Sequence, residues 1–446
     1  SNLGSRVRPT DRVPGTDAMC LDYRNNALLP PCLLRLLAFP LFPAARALRS
    51  RGTGLGAPPT TAGPGWYDSF TPLSGELVGA AGRLLAREDA CIQGSGAYQS
   101  DMSLSTTEQE CLESAMHVTT SLPGDGRHKV YLDGTVLLLT VHHYQSFSVY
   151  NIAHLAVSTF PVFDALKWLE ESWGGQPLDI SAVLFWQMSR SSSILGRYDW
   201  FTKVPQLIGN RGLDTSLLFA EDLQDGLCAK RLLLYHRPIL DGRVETRFFT
   251  APAHAWALRE RAVRSLGLPG ASSAPSGGRT ALLAVRPPPQ GYINAEEITR
   301  RVREFLASRC WRLKVWKVGE GDMSLRSQVG LFADVDLSIS TYGAQLSNMV
   351  WQPPGSAVVV VQKCFVNRRL FPREAREAGL RVFRSVPKDC RGAAAGRSAQ
   401  DILDHGTQRV NFGRDLLPVL ERALDDLGRP GCSGTLRATK SDPRAV

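Results

Sequence analysis

Four short, almost uninterrupted apolar runs recur between residues 281 and 361: Ala281 to Val285 (ALLAV), Leu313 to Val318 (LKVWKV), Asp336 to Ser340 (DLSIS) and Ser356 to Val361 (SAVVVV). Helix signals separate them. Arg286 and three prolines lead to Asn294, with Glu297 in the capping-box position three residues later, and Asp322 precedes a helical stretch reaching Ala333. Strands that are apolar throughout cannot leave one face in water, so the pattern demands a parallel sheet covered on both sides. Residues 279–430 are therefore expected to form a Rossmann-like α/β domain, followed by a tail over 431–446.

The same alternation begins earlier, at about residue 111. Val130 to Val141 reads as one or two strands, Asn151 to Glu171 as an Asn-capped helix, Ile180 to Gln187 as a buried strand and Leu227 to Tyr235 as another apolar run. Gly267 to Gly278 (GLPGASSAPSGG) cannot hold a regular element and marks a linker over 267–278, which leaves 111–266 as a first α/β domain. Residues 1–110 lack a sustained period and read as an irregular stem. Within them Ala27 to Leu41 is the most apolar stretch; prolines and Arg35 interrupt it, and it is shorter than the roughly 20 residues a spanning helix needs. It reads as a buried apolar turn or as a degraded anchor or signal core.

At 43% hydrophobic and 21% charged the chain is globular, which excludes wholesale disorder and coiled coil. The net charge of +10 suits anionic ligands without choosing among phosphates, nucleotides and membrane surfaces. The arginines are spread along the sequence with no aromatic-rich RNA motif, so nucleic acid is not expected as a partner. Nine scattered cysteines include no CxxC pair, and no Cys/His spacing reads as zinc.

Ligands of open parallel sheets bind beyond the carboxyl ends of the strands. That directs attention to Arg286 and to the loop Thr341-Tyr342-Gly343-Ala344-Gln345-Leu346-Ser347-Asn348. A Gly-Ala turn lets backbone approach a ligand, the first N–H groups of the next helix suit a diphosphate, and an arginine beside them can grip it with two hydrogen bonds. Each feature also has a bland reading, a structural turn glycine and a solvated surface charge. Other motifs carry less. Asp334-Val335-Asp336 spells a metal-binding Asp-x-Asp but falls between a helix end and a strand start. His142-His143 reads as a half-buried strand pair, Trp311 and Trp316 as core or edge packing, Cys228 as a buried thiol or half-disulfide, and Lys230 as a surface charge. No Gly-x-Ser-x-Gly elbow, Walker loop or HExxH occurs.

The segment DLSISTYGAQLSNMVWQPPGSAVVVV resembles the hallmark of glycosyltransferase family 61: strand, His-Gly-Ala-(Gly/Gln)-Leu-(Thr/Ser)-Asn, apolar helix, Pro, strand. Gly343, Ala344, Gln345, Leu346 and Asn348 match, Ser347 is a conservative replacement, and Tyr342 stands where the family has His. ALLAVRPPPQGYINAEEI resembles the family's strand, Arg, loop and capped helix. Tyr150-Asn151-Ile152-Ala153-His154 resembles its Asn-x-x-His helix start, and Cys228-Ala229-Lys230 its Cys-x-Lys. The similarity spans roughly residues 130–430.

The resemblance implies a GT-B architecture, two Rossmann-like domains facing a cleft. It also implies an inverting transferase that moves GlcNAc, xylose or arabinose from a UDP-sugar to a glycan or glycoprotein in the lumen of the Golgi or endoplasmic reticulum. No tightly bound cofactor or metal is implied. On this reading Arg286 and residues 342–348 hold the diphosphate, Asn151 and Lys230 contact substrate, and His154 and Asp164 are the candidates for proton transfer. Ser158 occupies the place of the family's acid after Asn-x-x-His, so Asp164 is the nearest substitute. Tyr342 donates one hydrogen bond but carries no positive charge at neutral pH. This departure raises a second expectation, a relative that binds nucleotide or glycan without turnover.

Overall fold

The computed structural model describes residues 71–72, 83–93, 117–119, 130–139, 152–172, 174–185, 190, 198–219, 222, 226–236, 247–269, 279–287, 291–363, 370–388 and 408–428. Two sheets and their helices make an α/β protein. The first sheet contains β1 (Thr71–Pro72), β2 (Arg83–Gln93), β3 (His117–Thr119), β4 (Val130–Leu138), β5 (Ile180–Phe185), β6 (Ser216–Phe219) and β7 (Leu227–His236). Its order is β1-β2-β7-β4-β5-β6, with β3 paired to β2. Strands β7, β4, β5 and β6 run parallel, whereas β2 joins β7 antiparallel from Arg83 opposite His236 to Ile92 opposite Leu227.

Residues 83–93 thus correct the expectation of an irregular stem, because they form a long inner strand. A disulfide from Cys91 to Cys228 joins this strand to β7 across 137 residues of sequence. The charged triplet Arg87-Glu88-Asp89 hides the strand's period, and Asp89 has a left-handed φ of 45°.

The second sheet contains β8 (Thr280–Val285), β9 (Arg312–Lys317), β10 (Leu337–Thr341), β11 (Ala357–Val361) and β12 (Arg381–Ser385), all parallel, in the order β12-β11-β10-β8-β9. Counted within this sheet the order is 2-1-3-4-5, the doubly wound arrangement. Side chains on β11 alternate between two cores. Val358 and Val360 pack toward the first sheet, while Ala357, Val359 and Val361 face outward to helices. A run of valines is what a strand covered on both faces requires.

Seven helices accompany the sheets among the described residues: α1 (Ile152–Ser172), α2 (Trp200–Gln206), α3 (Pro252–Ser265), α4 (Ala295–Ala307), α5 (Leu325–Phe332), α6 (Leu370–Glu377) and α7 (Leu417–Leu427). Helices α4 and α7 cover the outer face of the second sheet. Helix α1 is buried nearly all round. Leu155, Ala156 and Val157 join the core of the second sheet's inner face, while Val162, Leu166 and Leu169 pack on the first sheet. This is the expected position for a helix apolar on every side.

Helix α3 lies between the halves and is anchored by buried polar groups. Arg259 donates from Nε to the Trp351 carbonyl and from Nη2 to the Ala333 carbonyl, both at 2.9 Å. The segment leading into α3 is held by two carboxylates. Asp164 accepts from Thr250 N at 2.8 Å, and Glu377 accepts from Phe248 N at 2.7 Å.

Two caps differ from expectation. Asn294 makes no cap bond to α4; its Nδ2 donates to Glu297 and to the Val410 carbonyl, and Val410 N donates back to Oδ1. Ser324, not Asp322, caps α5, and Asp322 braces it by accepting from Ser324 N and Oγ at 2.8 Å each. The Asp-x-Asp carboxylates are already committed: Asp334 to Lys314 at 2.6 Å, and Asp336 to the Thr280 N–H at 2.8 Å. Among the described residues no helix is long and apolar enough to cross a membrane. The apolar stretch 27–41 lies outside those residues.

Candidate functional site

The second sheet's strand order reverses between β8 and β10, so the loops leaving these strands diverge and open a crevice at their carboxyl ends. A crevice of about 260 Å³ lies there. From the second half it is lined by Arg286 and Pro287 after β8, Trp316, Val318 and Gly319 around the end of β9, Met323 and Gln328 by α5, and Ala344, Gln345 and Asn348. Ile152 at the start of α1, with Tyr198 and Trp200 at the start of α2, closes it from the first half. Asp199 ties these sides together, accepting from Leu325 N at 2.7 Å while pairing with Lys203 at 2.6 Å.

Two glycines set the position of Arg286. A Cβ on Gly343 would lie 2.4 Å from Arg286 Nη1 and 2.6 Å from Gln345 Oε1, so the guanidinium rests directly against this backbone. Gly343 is extended, with φ of 167°, and glycine is needed there for the close approach rather than for its dihedral. A Cβ on Gly291 would lie 1.7 Å from the Arg286 carbonyl oxygen, inside the turn in which Gly291 N donates to Pro287 O.

The loop after β10 continues as a 3₁₀ helix, Ala344–Trp351. Its ladder begins where Leu346 N donates to Gly343 O at 3.0 Å, so the N–H groups of Ala344 and Gln345 lie ahead of it. Buried side chains fix this helix. Gln345 Nε2 donates to the Thr341 carbonyl at 2.8 Å, and Asn348 Nδ2 donates to Gln328 Oε1 at 2.9 Å. Ser347 Oγ donates to Glu374, whose carboxyl is pushed well above the usual range by complete burial.

The structure brings together Arg286, Gly343, Ala344, Gln345 and Asn348 from the sequence expectation. Tyr342 and Leu346 do not line the crevice; both are buried in the apolar core, with the Tyr342 ring edge-on to Phe371 at 4.9 Å. The expectation of a proton-transfer role for Asp164 meets a different arrangement. Its carboxylate is buried between helices and accepts from Thr250 N, Thr250 Oγ1 and His254 Nδ1 at 2.8, 2.9 and 2.6 Å. Lys230 is exposed in the amino half of β7, away from that strand's carboxyl end. His154 belongs to the first turn of α1, two residues after the crevice residue Ile152. Asn151, His142 and His143 lie outside the described residues.

No family model and no curated protein matches this chain. The site therefore rests on its own geometry.

Ile152, Tyr198, Trp200, Trp316, Met323 and Gln328 are crevice residues that sequence reasoning missed. Trp316 had a usable signal, since it sits near the carboxyl end of the strand beside β8. It both lines the crevice and packs edge-on to Phe332 at 5.9 Å. Chemically, the described residues of the crevice offer the Arg286 guanidinium, flanking backbone amides, buried side-chain amides and an aromatic wall. That combination suits an anion joined to a ring-bearing group. Among the described residues lining it, none carries a carboxylate.

Proposed function

We propose that this chain is a glycosyltransferase that uses a UDP-sugar, with the nucleotide diphosphate held between Arg286 and the start of the 3₁₀ helix. The observation that carries the reading is the contact of the Arg286 guanidinium with Gly343 at the strand-order reversal, beside a crevice large enough for part of a nucleotide sugar. In a GT-B reading the second sheet belongs to the donor domain and the first sheet to the acceptor domain. Inverting transfer then needs a leaving diphosphate stabilised by fixed cationic and amide groups, and a base on the acceptor hydroxyl. Arg286 and the amides near Ala344 supply the first. His154, in the opening turn of α1, remains the candidate for the second. The acceptor is a glycan or glycoprotein, and the Cys91–Cys228 disulfide supports an oxidising compartment such as the secretory lumen.

A second reading is a relative that binds the nucleotide without turnover. It is favoured by Tyr342, which packs on Phe371 where the family motif has His, and by the commitment of Asp164 to the α3 entry.

Calorimetry with UDP tests the shared premise. Arg286→Ala is expected to weaken binding by about 10- to 150-fold, the loss of a charge-assisted hydrogen bond to phosphate. Equal affinity in wild type and variant would remove the basis for both readings. A UDP-sugar hydrolysis and transfer assay, run on wild type and Tyr342→His, separates them: turnover by the wild type supports the enzyme, whereas UDP binding without wild-type turnover, whether or not Tyr342→His gains activity, supports the second reading.

A further inference from the structure

Two amide oxygens at the crevice have roles fixed by their neighbours. Gln345 Nε2 donates to the Thr341 carbonyl at 2.8 Å. A carbonyl only accepts, so this amide cannot be turned over, and Oε1 is left as an acceptor. Asn348 is oriented through a relay. Gln328 Nε2 donates to the Met323 carbonyl at 2.7 Å, which makes Gln328 Oε1 the acceptor for Asn348 Nδ2 at 2.9 Å, and leaves Asn348 Oδ1 as an acceptor.

Both oxygens are buried and, among the described residues, neither has a hydrogen-bond partner, although both residues line the crevice. In a 3₁₀ helix, side chains at i and i+3 eclipse, so residues 345 and 348 lie in one row. Buried acceptors without donors are unfavourable, and their partial negative charge repels phosphate. Satisfying them takes O–H or N–H donors next to the anion that Arg286 holds. Ile152, Trp200, Trp316 and Met323 supply the apolar surface against which the C–H faces of a sugar ring can lie.

We propose that Gln345 and Asn348 form an oriented acceptor pair that reads adjacent hydroxyls of a sugar ring attached to the phosphate bound by Arg286. The proposal rests on the nucleotide-sugar reading and adds that recognition runs through hydroxyl donors rather than through the anion alone. The diol belongs either to the ribose or to the transferred sugar.

Calorimetry on the full chain, wild type and Gln345→Met, with UDP, 2′-deoxy-UDP, UDP-xylose and inorganic pyrophosphate distinguishes the outcomes. If the ribose is read, loss of the 2′-hydroxyl weakens wild-type binding at least about fivefold, and Gln345→Met removes the difference. If the transferred sugar is read, UDP and 2′-deoxy-UDP bind alike, and UDP-xylose binds at least about fivefold more tightly than UDP by a margin that Gln345→Met abolishes. UDP binding that is indifferent to both changes overturns the acceptor pair and leaves the nucleotide site standing. Failure of UDP to bind overturns both. Should Gln345→Met not fold, the ligand comparison in wild type decides alone.

Discussion

Gly343 and Gly291 both pack against Arg286, yet their substitution is expected to act at different levels. The atoms that a Cβ on Gly343 would meet are the ends of two side chains, those of Arg286 and Gln345, whereas on Gly291 it would meet the backbone carbonyl of Arg286 itself. Gly343→Ala should therefore leave the melting temperature within a few degrees while displacing the guanidinium and weakening UDP binding by about tenfold or more. Gly291→Ala should lower stability by about 1–3 kcal/mol, because backbone has to move. Thermal melts and calorimetry on the two variants separate these effects, and a large stability loss in Gly343→Ala would contradict the assignment. Position 343 is legible in sequence as a turn glycine, but not the reason for it. The guanidinium that demands glycine comes from a residue more than fifty positions earlier.

At the scale of elements, the contact between α1 and α3 is a titratable one. His254 lies between Asp164, 2.6 Å from Nδ1, and Glu171, 3.2 Å from Nε2. Burial opposes protonation of His254, but the hydrogen bonds and charges of Asp164 and Glu171 outweigh it and raise the pKa above the ordinary histidine value. With the folded pKa above the unfolded one, this contact contributes fully below about pH 6.5 and is lost as pH rises through the folded value. Glu374 and Glu377 are also shifted upward by burial, so their contributions decline from about pH 4.5 upward. The melting temperature is expected to fall across the histidine window, and His254→Gln should reduce the slope there while leaving the part that comes from the two glutamates. An unchanged slope in the variant would exclude the histidine as its source.

What the sequence reveals differs by element for physical reasons. Strands β8, β10 and β11 are legible because both faces are buried and nearly every residue is selected for burial; β9 lies at the sheet edge and buries only Trp316, so its alternation of apolar and charged residues is an edge pattern. Strand β2 is not legible, since one stretch of it carries three charges in a row. The crevice is half legible: turn chemistry points to Arg286 and Gly343, but Tyr198, Trp200 and Trp316 converge only through tertiary packing.

For the molecule as a whole, the decisive feature is an apolar core that does not stop at a domain boundary. It runs from Phe160 and Trp200 through Leu258 on α3 to Trp351, Val358 and Phe371 beside the second sheet. A ring pair crosses between the halves, Phe160 edge-on to Trp351 at 6.0 Å, and Phe160 also stacks at 5.5 Å on Phe249 of its own half. The sequence suggests two domains joined by the 267–278 linker, but α3 precedes that linker and packs against both. The two halves are therefore expected to unfold together: urea transitions followed by tryptophan fluorescence and by far-ultraviolet circular dichroism should coincide. Two separated transitions would mean that the shared core contributes little.

The antiparallel pairing of β2 with β7 bears on how the protein can be cut. A fragment trimmed to begin at Cys111, where helix and strand start to alternate, discards β2 and the sulfur partner of Cys228. It strips β7 down to a bare row of amides and carbonyls, an open invitation to self-association.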